Sequence, residues 1–94
     1  MVKVIWSKNA KADLYSIYNY ISRDSTYYSL KTINKIVKIT TNLTVMPYMG
    51  RKVLEYNNKN IREIIFKQYR IIYEIRSNFI IIQRVWHAAR LLLI

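Results

Sequence analysis

The apolar residues of this chain recur with two different periods, and each change of period marks a new predicted element. Residues 1–6 are apolar except for Lys3, and the run of valine, lysine, valine, isoleucine and tryptophan that ends at Trp6 predicts a first strand. Ser7 follows as a helix N-cap, and apolar residues then recur three to four positions apart as far as the polar cluster Ser22–Thr26. These apolar positions are Ala10, Leu14, Ile17, Tyr18 and Ile21.

A second helix is predicted to open at a cap formed by Ser25 or Thr26. Its apolar stripe is expected to face the core, and it consists of Leu30, Ile33, Val37, Thr40 and either Leu43 or Thr44. The two helices are joined by a short polar segment, so we expect an antiparallel hairpin. Pro47 and Gly50 end this unit and begin a basic loop.

The last third of the chain returns to strand patterning. Residues 61–66, 70–75 and 79–87 predict three strands joined by short turns, and residues 88–92 predict one helical turn. We therefore expect an α+β fold: an N-terminal strand, an antiparallel helical hairpin, a three-stranded antiparallel meander and a short C-terminal helical turn. At 94 residues the chain has room for one domain, 1–94.

The lengths of the turns decide which side chains meet on the sheet. With two-residue turns at Lys67-Gln68 and Ser77-Asn78, Arg70 pairs opposite Val85, and Glu63, Arg70 and His87 share one face. A turn longer by one residue moves one strand's side chains to the other face, so this prediction depends on the turns.

Composition and charge narrow the class of protein. The chain has 16 Lys and Arg against 5 Asp and Glu, a formal charge of +11, which attracts polyanions. It has no cysteine and no signal or membrane-spanning pattern, so we expect a cytoplasmic protein without a membrane partner. One histidine, scattered acids and a single glycine predict no metal site, no cofactor and no small-molecule substrate.

The predicted sheet face has the residue types for RNA cleavage through the 2′-hydroxyl, which needs a base, an acid and a phosphate clamp but no metal. His87 is a candidate acid or base, Arg70 a candidate clamp, and Glu63 or Glu55 the complementary base. The alternative for His87 is a packed or hydrogen-bonded histidine at a strand end. Further candidates for contact with phosphate or a target are Arg51, Lys52, Arg62, Arg84 and Arg90.

The order and spacing of motifs resemble the RelE/ParE superfamily, the small bacterial toxins of type II toxin–antitoxin pairs. In the last third the resemblance lies in residues 62–65, 69–73 and 85–90. In the first half it lies in Trp6, Ala10, Asp13-Leu14, Ile17, Tyr20-Ile21, Leu43, Pro47 and Gly50-Arg51. The hairpin and residues 87–90 look more similar to the ParE branch, and the tyrosine that RelE members carry near the C-terminus is absent.

The resemblance implies a toxin held inactive by a cognate acidic antitoxin, with Arg70, Arg84, Arg90, Leu91 and Leu92 as candidate antitoxin contacts. ParE-like proteins poison DNA gyrase by protein contact, which is the favoured function. RelE-like proteins cut mRNA on the ribosome, and Arg70 and His87 stand where such a nuclease keeps its arginine and histidine. An inactive member that serves only in an autoregulatory antitoxin complex is a third alternative.

Overall fold

The computed structural model of this protein describes residues 2–88. The elements in chain order are β1 (Lys3–Trp6), α1 (Lys8–Ser22), α2 (Thr26–Asn42), β2 (Arg51–Lys52), β3 (Ile61–Phe66), β4 (Tyr69–Ile75) and β5 (Phe79–His87). The predicted α+β fold is confirmed, and β2 is an additional short strand in the predicted basic loop. The predicted C-terminal helical turn and the candidate residues Arg90, Leu91 and Leu92 lie outside the described residues.

Both helices begin at the predicted kind of cap. The hydroxyl of Ser7 accepts a hydrogen bond from the amide of Ala10 at 3.0 Å, and that of Ser25 accepts one from Tyr28 at 3.1 Å. Each cap satisfies an amide that the first turn leaves without a helical partner. Ser7 also donates to the carbonyl of Gln83 at 2.9 Å, so it fixes the start of α1 to β5.

The five strands form one mixed sheet in the order β1-β5-β4-β3-β2. β1 pairs parallel with the first half of β5, from Lys3 opposite Phe79 to Trp6 opposite Ile82, while the other pairings are antiparallel. Among the described residues, no strand therefore lies beside the second half of β5, beyond Ile82, on the β1 side.

Both two-residue turns of the meander are confirmed. Phe66 pairs with Tyr69 around Lys67-Gln68, and the amide of Arg76 bonds to the carbonyl of Phe79 around Ser77-Asn78. Lys67 has a φ of 54° and is the one non-glycine residue with positive φ among the described residues. The turn at Ser77-Asn78 is made without a positive φ.

A β-bulge in β5 changes the faces of its last residues. The pairing shifts between Ile72 opposite Arg84 and Tyr73 opposite Ile82, so Gln83 is an extra residue. Arg70 consequently pairs with Trp86, and His87 pairs with Tyr69. The predictions that Arg70 lies opposite Val85 and that His87 shares the face of Arg70 and Glu63 are therefore wrong.

The main core lies between the helical hairpin and one face of the sheet, here called the helix face. Its buried residues are Ala10, Ile36, Leu43, Tyr69, Ile71, Tyr73, Ile80, Ile82 and Val85. A second cluster of Val53, Ile61 and Ile72 lies on the opposite face, here called the loop face, with Tyr56 and Trp86 packed against it. Residues from the loop after β2 thus cover part of the loop face.

The face that α2 turns to the core agrees with the predicted stripe at Thr40 and Leu43 but differs from it at Leu30 and Val37. The buried positions are Ser29, Thr32, Ile36 and Thr40, whereas Leu30 and Val37 are exposed. The buried hydroxyls have acceptors, because Ser29 donates to the carbonyl of Tyr18 and Thr40 to that of Val37, both at 2.7 Å. Small side chains with internal hydrogen bonds therefore replace the larger apolar residues at this contact.

Candidate ion-pair site on the loop face

Two glutamates hold Arg70 on the loop face. Arg70 Nε donates to Glu63 Oε1 at 2.5 Å, and Nη1 and Nη2 donate to the two carboxylate oxygens of Glu55 at 2.7 and 2.8 Å. Arg51 Nε donates to the second oxygen of Glu63 at 3.1 Å. We call these four residues the ion-pair cluster. Its two arginines and two glutamates have a net charge of zero.

The register of the sheet explains why these side chains meet. Arg51 lies opposite Glu63, Glu63 lies opposite Ile72, and Ile65 lies opposite Arg70, so Glu63 and Arg70 are diagonal neighbours on one face. Glu55 arrives from the loop, two residues after Val53, which is 1% exposed. The structure thus brings Glu63 and Arg70 together on one face, as the alternation of the strands predicts, and adds Glu55, which the sequence offers only as an alternative base.

Burial and pairing fix the charge states in the cluster. The side chain of Glu63 is only 1% exposed, so its carboxylate depends on the two arginines for compensation. The bidentate hydrogen bond from Arg70 lowers the pKa of Glu55 from 4.5 to about 2. The hydrogen bonds that Arg70 donates to Glu55 and Glu63 raise the pKa of Arg70. Near neutral pH Glu55 is therefore a carboxylate whose two oxygens are both already bonded to Arg70.

Arg84 has a carboxylate partner of its own at the open edge of β5. Asp13, on α1, accepts from Arg84 Nε at 2.7 Å, from Nη2 at 2.9 Å and from the backbone amide of Val85 at 3.0 Å. The guanidinium lies 4.4 Å from the centre of the Trp86 ring. The hydrogen bonds that Arg84 donates to Asp13 raise the pKa of Arg84. The sequence does not predict this role for Asp13, which stands in it only as part of the Asp13-Leu14 motif.

His87 lies on the helix face, away from the ion-pair cluster. Its ring meets the ring of Tyr69 edge to face, with 5.8 Å between centres and an angle of 86°. It lines an open groove between α1 and the end of the sheet, together with Asp13, Tyr20 and Arg23. The structure therefore separates the histidine from the arginine that it was expected to assist.

Tyr73 and Arg62 anchor the segment that leads into β2. Tyr73 donates its hydroxyl proton to the carbonyl of Pro47 at 2.8 Å and accepts from the amide of Gly50 at 2.9 Å. Arg62 donates to the carbonyl of Gly50 at 3.0 Å, and its guanidinium lies 4.9 Å from the centre of the Tyr48 ring. A Cβ at Gly50 would come within 2.6 Å of the carbonyl of Glu63. Lys52 follows as an exposed residue of β2.

A family model described as the ParE toxin of the type II toxin–antitoxin system parDE matches residues 4–92. The chain belongs to the ParE toxin family. It is therefore the toxin component of a type II toxin–antitoxin pair. A search of curated protein sequences gives no match.

Solved structures share the fold of this chain. A chain of the chromosomal ParDE toxin–antitoxin system from P. aeruginosa is 21% identical, with a TM-score of 0.76 over 93% of this chain and 96% of that one. A chain of the YoeB dimer from Staphylococcus aureus is 18% identical, with a TM-score of 0.64 over 92% of this chain and 95% of that one. At these identities the likeness establishes the fold.

The ion pairs show where the net charge of this ParE-family chain resides. Four of the acidic residues, Asp13, Glu55, Glu63 and Glu74, pair with arginines of the sheet or of the turn between β4 and β5. Every lysine in residues 2–88 is exposed, and none forms an ion pair there. The excess positive charge is thus carried mainly by lysines.

Two further observations concern metals and membranes. Across residues 2–88 there is no group of three or more His, Cys, Asp or Glu residues that could hold a metal ion. Neither helix of the described chain is long and apolar enough to cross a bilayer.

Proposed function

We propose that this ParE-family toxin arrests growth by binding a protein target, DNA gyrase, and not by cutting RNA. The observation that carries the proposal is the state of Arg70. Its three nitrogen positions donate to Glu55 and Glu63, so the guanidinium is engaged within the chain. Glu55 is also a poor proton acceptor, since its pKa is about 2. His87 is on the opposite face of the sheet, which does not favour a ribosome-dependent nuclease.

The segment of residues 45–54 supports a role in protein contact. It exposes apolar side chains that a monomer would normally bury, namely Val45, Met46, Tyr48, Met49 and Leu54. Lys52 adds positive charge to the same segment, and Arg51, although paired with Glu63, leaves 68% of its side chain exposed there. A patch of apolar and aromatic side chains beside arginine is typical of protein interfaces. We propose this segment as the target contact, with the ion-pair cluster and Tyr73 holding its geometry.

Two assays on the same induced cultures and purified toxin test the proposal. Gyrase incubated with toxin and plasmid should accumulate cleaved DNA, while primer extension on cellular mRNA should reveal no new 5′ ends. Leu54→Ala should weaken the gyrase effect, because Leu54 is 92% exposed in the proposed contact. Leu30→Ala, at an exposed leucine on α2, is the matched control. Ribosome-dependent mRNA ends without gyrase cleavage would overturn the proposal, and neither effect would favour a role confined to the antitoxin complex.

We also propose that an acidic antitoxin segment is attracted first by the exposed lysines. Arg70 and Arg84, two of the candidate antitoxin contacts, already have carboxylate partners in the free toxin. An antitoxin carboxylate that binds either of them must therefore displace Glu55, Glu63 or Asp13. The unpaired lysines offer long-range attraction without that exchange.

A further inference from the structure

The exposed side of α2 is basic along its middle turns. Lys31, Lys35 and Lys38 recur at intervals of four and three residues, and all three are exposed. Tyr27, Asn34 and Asn42 are exposed on the same helix beside them. We call these six residues the lysine face. The sequence from Ser25 to Leu54 contains no acidic residue, so no carboxylate of this region offsets its charge.

The chemistry of the lysine face matches a phosphate backbone. Lysine, asparagine and tyrosine are residues that contact phosphate and sugar without reading base sequence. A helix rises by about 1.5 Å per residue, so the three lysines extend over roughly 10 Å. Phosphates of one strand of duplex DNA follow at about 3.4 Å along the duplex axis, and the lysines therefore span about three of them.

An acidic polypeptide fits this face less well. Peptide docking depends on apolar anchors at the centre of the contact. The exposed apolar residues of α2, Leu30 and Val37, lie about a third of a turn around the helix from the lysines. They border a different surface, where Val37 lines a shallow groove with Trp6, Leu14 and Tyr18. The lysine face itself contains no aliphatic anchor.

We propose that the lysine face binds the backbone of duplex DNA without sequence preference. The choice of duplex DNA rests on the proposed function, because a toxin that acts on gyrase meets its target on a DNA duplex. Binding would keep the toxin on the DNA that gyrase occupies, while residues 45–54 contact the enzyme. The contact is electrostatic, so salt should weaken it steeply.

Fluorescence anisotropy of a labelled 20-base-pair duplex, titrated with the full chain at several salt concentrations, tests this without gyrase. The triple variant Lys31→Gln, Lys35→Gln, Lys38→Gln should lower the slope of log affinity against log salt by about 0.9 per lost phosphate contact, and should weaken binding on the order of tenfold at 0.1 M salt. The control variant Lys3→Gln, Lys59→Gln, Lys67→Gln removes the same charge from exposed sites elsewhere. It should bind nearly as the unchanged protein does. A triple Lys→Arg change on the lysine face should retain binding.

Each other result has a defined meaning. If the two triple Lys→Gln variants lost the same affinity for the duplex, net charge alone would explain the effect, and the proposal would be overturned. The proposal would also be overturned if the lysine face bound the single strand of the same sequence more tightly than the duplex. Binding of poly-glutamate through the lysine face, without binding of duplex, would overturn it as well. Circular dichroism melting verifies that each triple is folded. Because no gyrase is present, failure here leaves the gyrase proposal to its own assay. If that assay fails while the lysine-face variants still lose duplex binding, the DNA contact stands and only its link to gyrase is lost.

Discussion

Glu55 and Arg70 are joined by two parallel hydrogen bonds of 2.7 and 2.8 Å across 15 positions of sequence. The bond ties the loop after β2 to the central strand β4, and Glu63 beneath it completes the coordination of the guanidinium. A cationic side chain that resembles a phosphate clamp in the sequence is therefore a structural link in the folded chain. Stability, rather than phosphate binding, is the property that its removal should change first.

The pH dependence of stability should carry the signature of Glu55. Its folded-state pKa of about 2 is below the ordinary value of 4.5, so the pair contributes stability that is fully present above pH 4.5 and lost as the pH falls toward 2. In urea unfolding from pH 7 to pH 2, Glu55→Gln should reduce the free energy of unfolding at pH 7 and flatten its decline on acidification. Parallel pH curves for the two proteins would show that Glu55 is not held by Arg70.

Arg70→Ala should strongly destabilise the fold. It leaves the carboxylate of Glu63, which is 1% exposed, with Arg51 as its remaining ion-pair partner among the described residues. Removing one partner of a buried pair costs about 3–5 kcal/mol. Arg76→Ala is the control, because Arg76 is 54% exposed and its pair with Glu74 should be worth no more than about 1 kcal/mol. Denaturant unfolding measures both, and similar small losses would contradict the role given to Glu63 and Arg70.

Adjacent residues of α2 should respond very differently to truncation. Ile36 is fully buried in the main core, so Ile36→Ala should cost about 2–5 kcal/mol. Val37 is 41% exposed, and Val37→Ala should cost less than about 1 kcal/mol. Thermal and urea unfolding of the two variants give a direct comparison. A larger loss at Val37 would support the apolar stripe predicted from the sequence over the observed one.

Growth arrest should survive His87→Ala. A general acid or base contributes about 10² to 10⁴ in rate, so its loss would abolish a nuclease activity. A residue outside the target contact should change toxicity little, and one packing contact is worth on the order of 1 kcal/mol. Growth curves after induction, with soluble folded protein verified, measure the effect. Loss of both toxicity and mRNA cleavage in the folded variant would return His87 to a catalytic role.

Association with the cognate antitoxin should slow as salt rises, because the attraction comes from exposed lysines that ions screen. Stopped-flow mixing measures the on-rate over about 0.05–0.5 M salt, a range in which the Debye length falls from above about 10 Å to well below it. The variant Asp13→Asn gives a second measurement, because it removes the carboxylate that pairs with Arg84. It should raise the on-rate if antitoxin carboxylates reach Arg84. An on-rate that ignores salt would contradict steering by charge.

Local signals in the sequence were sufficient for both helices, for every described strand except β2 and for much of the ion-pair cluster. Ser7 and Ser25 cap helices because their side chains act on amides three residues away, and the turns at 67–68 and 77–78 follow from strand patterns beside them. With the first turn known, alternation alone places Glu63 and Arg70 on one face. These features can be predicted because they depend only on residues that are close in sequence.

The features that the sequence did not predict depend on contacts between distant segments. The bulge at Gln83 coincides with the end of pairing to β1 and with the bond from Val85 to Asp13, 72 positions away. The rotation of α2 reflects its packing on α1, where Ser29 bonds to Tyr18. Neither contact produces a periodic pattern in the sequence. The sequence offers polar residues at those positions, and only the assembled structure gives them partners.

The position of β5 in the sheet also dictates an order of assembly. The last strand of the described chain lies between β1 and β4, and its partner β1 is about 76 residues earlier in sequence. Until β5 exists, β1 has no neighbouring strand, and α1 has neither the carbonyl of Gln83 nor the amide of Val85 to bond. Such long-range pairing is slow because a large loop must close first. A nascent chain therefore completes this toxin only after β5 has been synthesised.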